Sequence, residues 1–150
     1  MRLFYFTFLF AILFIAACSQ DEACREKRDV KLQAGFFTFE TTTAAGIDSL
    51  TVYGLGQDSL IYDNEKDIDE ISLPLNNSDV QSIFVMKFNE LYDTLFVLHT
   101  NTEYFISYPC GTVTTYQIDT VLSTNHYIKG IKIQHHEINT TDVQHVQIFH

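Results

Sequence analysis

Tryptophan is absent from this 150-residue chain, proline occurs twice and cysteine three times, and basic residues are scarce. Nine Lys plus Arg face 19 Asp plus Glu, a net charge of −10. Such a surface repels phosphate backbones and anionic headgroups, which excludes nucleic-acid binding. No apolar run reaches the roughly 20 residues of a spanning helix, which disfavours a transmembrane anchor. There is no Gly-x-Ser-x-Gly elbow, no His-Glu-x-x-His and no phosphate loop, so the chain is not expected to be an enzyme or to need a cofactor. No C-x-x-C spacing supports zinc, and no metal site is expected. Internal repeats and low-complexity tails are also missing.

What is present begins at the amino end. Arg2 precedes a nearly all-apolar run of 14 residues, Phe4 to Ala17, which ends in Ile15-Ala16-Ala17-Cys18. A basic start, a short apolar stretch and small residues before a cysteine describe a bacterial lipoprotein signal peptide, residues 1–17. Ala16 and Ala17 leave the backbone open to a peptidase. The Cys18 thiol accepts a diacylglyceryl group, and its new amino terminus accepts a further chain such as palmitate. Two or more acyl chains anchor stably where one does not. The expected address is the outer membrane of the cell envelope, on its periplasmic or its surface face, with the bilayer as first partner. Residues 18–28 form a short tether whose Asp21 and Glu22 make it acidic. With Arg2 gone, the mature charge is −11.

Lipidation of Cys18 leaves Cys24 and Cys110, 86 positions apart, as an even pair in an oxidising compartment. We expect them to form a disulfide. The mature chain suits one domain with a real core. Its β-branched and aromatic residues alternate at period two between turn residues, which predicts an all-β fold. Expected strands are Val30–Phe39, Leu50–Leu55, Ser59–Asp63, Ile68–Leu75, Gln81–Phe88, Tyr92–Thr100, Glu103–Tyr108, Thr112–Ser123, Tyr127–His136 and Gln144–Phe149. Gln81–Phe88 and Leu95–Leu98 are apolar on both faces, as covered strands would be. Thr112–Ser123 is polar on one side and reads as a solvated or edge strand. The predicted architecture is a single β-sandwich of immunoglobulin-like kind over residues 29–150, with about 8–10 short antiparallel strands.

The order Cys24, Asp48-Ser49-Leu50-Thr51-Val52-Tyr53-Gly54, Ile71-Ser72-Leu73-Pro74-Leu75, Asp93-Thr94-Leu95, Tyr104-Phe105-Ile106-Ser107, Cys110-Gly111 and Val146-Gln147-Ile148-Phe149 resembles an uncharacterised family of small Bacteroidetes lipoproteins. The resemblance covers most of the mature chain. It implies a compartment and a compact domain, and no activity.

Three groups of residues invite a chemical reading. Asp48-Ser49-Leu50, Asp58-Ser59-Leu60, Asp93-Thr94-Leu95 and Asp119-Thr120-Val121 are similar to the O-glycosylation sequon of Bacteroidetes exported proteins. They make Ser49, Ser59, Thr94 and Thr120 candidate sites. Four matches exceed what random order supplies in a chain with 11 Asp and 24 Ser plus Thr. The same pattern also arises where Asp ends a turn and a hydroxyl residue opens a strand. The acidic stretch Asp63 to Glu70 fails as an EF-hand loop, because its sixth and twelfth positions are Ile68 and Pro74. If Tyr127–His136 and Gln144–Phe149 pair, His135 and His145 approach each other, but two imidazoles alone make a weak metal site. The expected function is a non-catalytic structural or interaction module, lipid-anchored in the envelope, whose partner is an envelope protein or glycan. The alternative is a carrier of a small ligand or lipid in an apolar pocket between the sheets.

Overall fold

The computed structural model describes residues 29–108 and 110–150, and among these there are ten strands and no helix. They are β1 (Lys31–Phe37), β2 (Leu50–Gly54), β3 (Leu60–Glu65), β4 (Glu70–Pro74), β5 (Gln81–Phe88), β6 (Leu91–Ser107), β7 (Gly111–Ser123), β8 (Gly130–Ile133), β9 (Glu137–Ile138) and β10 (Val146–Phe149). Two sheets pack face to face as a β-sandwich. One has the order β4-β1-β10-β8 and the other β3-β2-β5-β6-β7-β9. Every pairing is antiparallel except β1 with β10.

Period-two alternation puts one side of each strand inside. On β5 the inward residues are Ser82, Phe84, Met86 and Phe88, and on β6 they are Asp93, Leu95, Val97 and His99, all buried. Opposite them stand Leu32, Ala34 and Phe36 of β1, Ile71 and Leu73 of β4, and Val146 and Ile148 of β10. Each fully buried large side chain of this kind contributes about 1.5–3 kcal/mol. Asn89 takes the left-handed backbone (φ 53°) in the short β5–β6 turn, a conformation Asn adopts more readily than most residues.

Two expectations change in the structure. Tyr92–Thr100 and Glu103–Tyr108 are expected as two strands with a turn at Asn101 between them, yet β6 runs through Asn101 without a break and pairs with β7 from Leu95 to Ser107. The Asn101 side chain, polar and short, is occupied in cross-links rather than in ending the strand. The covered look of Gln81–Phe88 and Leu95–Leu98 also needs correcting. Only their inner faces are sealed, since Ile83, Val85 and Phe96 are half-buried and Leu98 is exposed on the outside of the six-stranded sheet. β4 lies at a sheet edge and ends at Pro74, and either position accommodates a residue without an N–H.

Candidate functional site

Two buried polar residues flank Leu95 and Val97 on the inner face of β6, one toward each end of the sandwich. Asp93 is fully buried. Its Oδ1 accepts the His126 N–H at 2.7 Å and the Thr124 hydroxyl at 2.7 Å. Its Oδ2 accepts the N–H groups of Tyr127 and Ile128 at 2.7 and 2.8 Å. Burial raises the carboxyl pKa, but the backbone and hydroxyl donors outweigh it and bring the group down to about 2. This carboxylate closes the β7–β8 connection over that end. Tyr127 is there stacked between Phe88 (4.5 Å) and His150 (5.4 Å).

Toward the other end, Ser82, His99 and Asn101 form a chain. Asn101 Nδ2 donates to the carbonyls of Asn76, Asn77 and Asp79 at 3.2, 3.1 and 2.7 Å. Its Oδ1 therefore faces His99 Nδ1 at 2.6 Å and must receive a proton from it. The neutral ring then presents Nε2 as an acceptor for the Ser82 hydroxyl at 2.9 Å. This order of hydroxyl, imidazole and amide is one that can activate a serine. Here Ser82 is only 4 % exposed, and its oxygen also accepts the Asn76 N–H at 2.8 Å. The Tyr116 ring meets the His99 ring edge-on at 5.3 Å. The chain therefore fastens the 76–79 loop to β5 and β6. Sequence reasoning gave Ser82 and His99 no role, placed a turn at Asn101, and read Asp93 only as part of the Asp93-Thr94-Leu95 pattern.

A concavity of about 600 Å³ opens beside this chain, between the β2–β3 hairpin and the β4–β5 loop. Apolar Ile61, Leu75 and Phe84 share its lining with Gln57, Asn76 and Ser82. It is a mixed rim cleft. The space between the sheet centres is filled by Phe36, Met86, Phe88 and their neighbours.

The outer face of the six-stranded sheet carries a ladder of apolar side chains. Ile83 pairs with Phe96, and Phe96 pairs with Leu122. Leu55, the residue after β2, donates its N–H to the Ile83 carbonyl and extends the row. Leu55 is 58 % and Leu122 is 56 % exposed, and Leu98 lies beside them. Among the described residues no further layer covers this row.

Cys18 and Cys24 lie outside the described residues, whereas Cys110 is buried and its N–H donates to Ser107 Oγ at 3.3 Å. Ser59 and Thr120 are exposed, and Ser49 is half-buried, with its hydroxyl on Asn64 Oδ1 at 2.5 Å. Thr94 is half-buried next to Asp93, whose carboxylate is wholly occupied. β8 and β10 do pair antiparallel, which brings the His135 N–H to the His145 carbonyl at 3.2 Å. His145 is buried and its Nδ1 accepts the Gln33 N–H at 3.0 Å. Burial, with His135 as a smaller cause, holds its pKa below the usual 6.5.

The family model of DUF6452, a family of unknown function, matches residues 49–150. This chain belongs to that family. No curated protein and no solved structure matches it. Family membership therefore supplies no activity, and the functional reading rests on geometry.

Proposed function

We propose that this chain is a non-catalytic, lipid-anchored module of the bacterial outer envelope that engages a partner through the outer face of its six-stranded sheet. The observation that carries this reading is the uncovered row Leu55, Ile83, Phe96 and Leu122. A contiguous apolar patch is what a monomer normally avoids and an interaction surface retains. The anchor is acylated Cys18, by the chemistry of the Ala16-Ala17-Cys18 junction. Cys24 bridges Cys110, whose sulfur is not a free thiol. Ser82, His99 and Asn101 act as a staple rather than a nucleophile, because the Ser82 oxygen is buried and accepts the Asn76 N–H. The test is crosslinking in intact cells followed by capture of the native lipoprotein. The expected result is an envelope protein or glycan that is captured by the wild-type chain and lost with Leu122→Glu. Equal capture by both chains, or none by either, would reject the interaction reading.

A second reading, a small-ligand carrier, is favoured by the rim cleft between the β2–β3 hairpin and the β4–β5 loop. Its mixed lining fits a ligand that is partly polar rather than a lipid. Native mass spectrometry of the purified protein decides this case, since a carrier retains a small molecule that denaturation releases.

A further inference from the structure

We propose that the far end of the β6–β7 ribbon, carried by Tyr104, Phe105 and Tyr108, seats in the interfacial layer of the bilayer that holds the chain. This inference rests on the lipid-anchor reading and adds an orientation and a second membrane contact.

Four observations lead to it. The first is the ribbon itself. β5 pairs with β6 only as far as Leu98, and β9 pairs with β7 only at Tyr116 and Gln117. Among the described residues, Thr102 to Ser107 therefore pair only with the Gly111–Thr115 segment. Six strand steps from Asn101 to Ser107 carry this ribbon about 20 Å beyond the staple.

The second is the aromatic side chains. Tyr104 is 60 %, Phe105 55 % and Tyr108 97 % exposed. Neighbours on a strand point to opposite faces, so Tyr104 and Phe105 wet both sides of the ribbon, and Tyr108 sits at its turn in edge contact with Phe105 at 5.7 Å. A protein partner docked on one face would leave the ring on the other face wet, whereas end-on entry into a membrane covers them all.

The third is charge. From Thr102 to Thr115 the only charged side chain is Glu103, in a chain with 19 acids. The segment combines aromatics with Thr112, Thr114 and Thr115, which keeps the chain's general repulsion of headgroups away from this end. Tyr is enriched where membranes meet water because its ring is amphipathic.

The fourth is the position of the tether. The described chain enters at the same end of the sandwich as the ribbon leaves it. Lys31 pairs with Pro74. The next residue, Leu75, accepts from the Tyr116 hydroxyl, and Asn76 accepts from Asn101. The seven steps from Cys24 to Lys31 extend to about 24 Å, enough to run the length of the ribbon and reach Cys110. Six more steps along the chain then connect Cys24 to the acylated Cys18. Anchor and aromatics thus share one end of the molecule.

The absence of tryptophan makes the test direct. Tyr108→Trp places a single indole at the ribbon turn, and Leu122→Trp places one about 36 Å farther along β7. Each native, lipidated variant is reconstituted in phosphatidylcholine vesicles with and without brominated acyl chains. The proposal expects the indole at position 108 to lose most of its emission to bromine and to shift to shorter wavelength, while that at 122 keeps its emission. Protein that floats with the vesicles and carries acyl mass, yet shows no quenching at 108, overturns the proposal and leaves the anchor intact. Equal quenching at both positions also overturns it, since the domain would then lie flat. Protein that neither floats nor carries acyl mass ends the anchor reading, and the proposal falls with it.

Discussion

The two ends of the sandwich solve the same problem by different chemistry. Each must close off the inner face of β6, and each does so with a polar residue at inward parity. At the Asp93 end the polar group is a charge, held by three backbone N–H groups and a hydroxyl, under a stacked Phe88–Tyr127–His150 lid. At the Asn101 end the groups are neutral side chains that fasten a loop, with a cleft beside them and a two-stranded ribbon beyond. The difference teaches where the molecule is sealed and where it is open to a neighbour. A buried carboxylate is tolerated only with full donors and makes a sealed end, whereas the neutral network sits beside a rim cleft and a two-stranded ribbon.

The largest expected effect is on the sealed end. Asp93→Ala orphans the N–H groups of His126, Tyr127 and Ile128, and removing hydrogen bonds to a charged group costs about 1.5–3 kcal/mol each in favourable cases. We expect a loss of about 3–5 kcal/mol, read as a lower urea midpoint with an unchanged slope.

The acid limb separates the two ends more sharply. Asp93 titrates at about 2 when folded against an ordinary 3.8, so the folded state prefers the ionised form. Its contribution, about 2 kcal/mol, is complete above pH 3.8 and is lost as pH falls toward 2. Asp93→Asn should flatten that limb. His145, near the open end, works at milder pH. Its folded pKa lies below 6.5, so the unfolded chain binds the proton first and stability declines as pH drops through 6.5. Denaturant midpoints between pH 8 and 5 should fall in the wild type and fall less in His145→Gln.

Much of the fold was legible because strand periodicity is a local signal. Gln81–Phe88 matches its predicted bounds, and Pro74, which suits an edge or a strand terminus, both ends β4 and lies on an edge strand. The break predicted between Thr100 and Glu103 failed because Asn is both a turn former and a good cross-linker, and only the β4–β5 loop 25 residues away decides which. β9, two residues long, carries too few alternations to be seen. The polar ends were hidden for a related reason. Read at period two, Asp93, Leu95, Val97 and His99 share one face, and that parity was the available signal. It marked two polar residues as buried, though not which distant donors would meet them.

Smaller effects test the open end. Asn101→Ala frees the 76–79 carbonyls and should cost about 1–2 kcal/mol, with faster amide exchange confined to that loop. Tyr108→Ser, at a fully wetted position, should leave stability within about 0.5 kcal/mol. A larger loss there would mean that the ring packs within the fold instead of waiting for a membrane.

The central claim is an address, and intact mass of the native protein tests it most directly. The account predicts a product that begins at Cys18, carries the added mass of acyl chains, and lacks two hydrogens for the Cys24–Cys110 bridge. A product that retains Met1, or one with an unmodified Cys18 thiol, would contradict it.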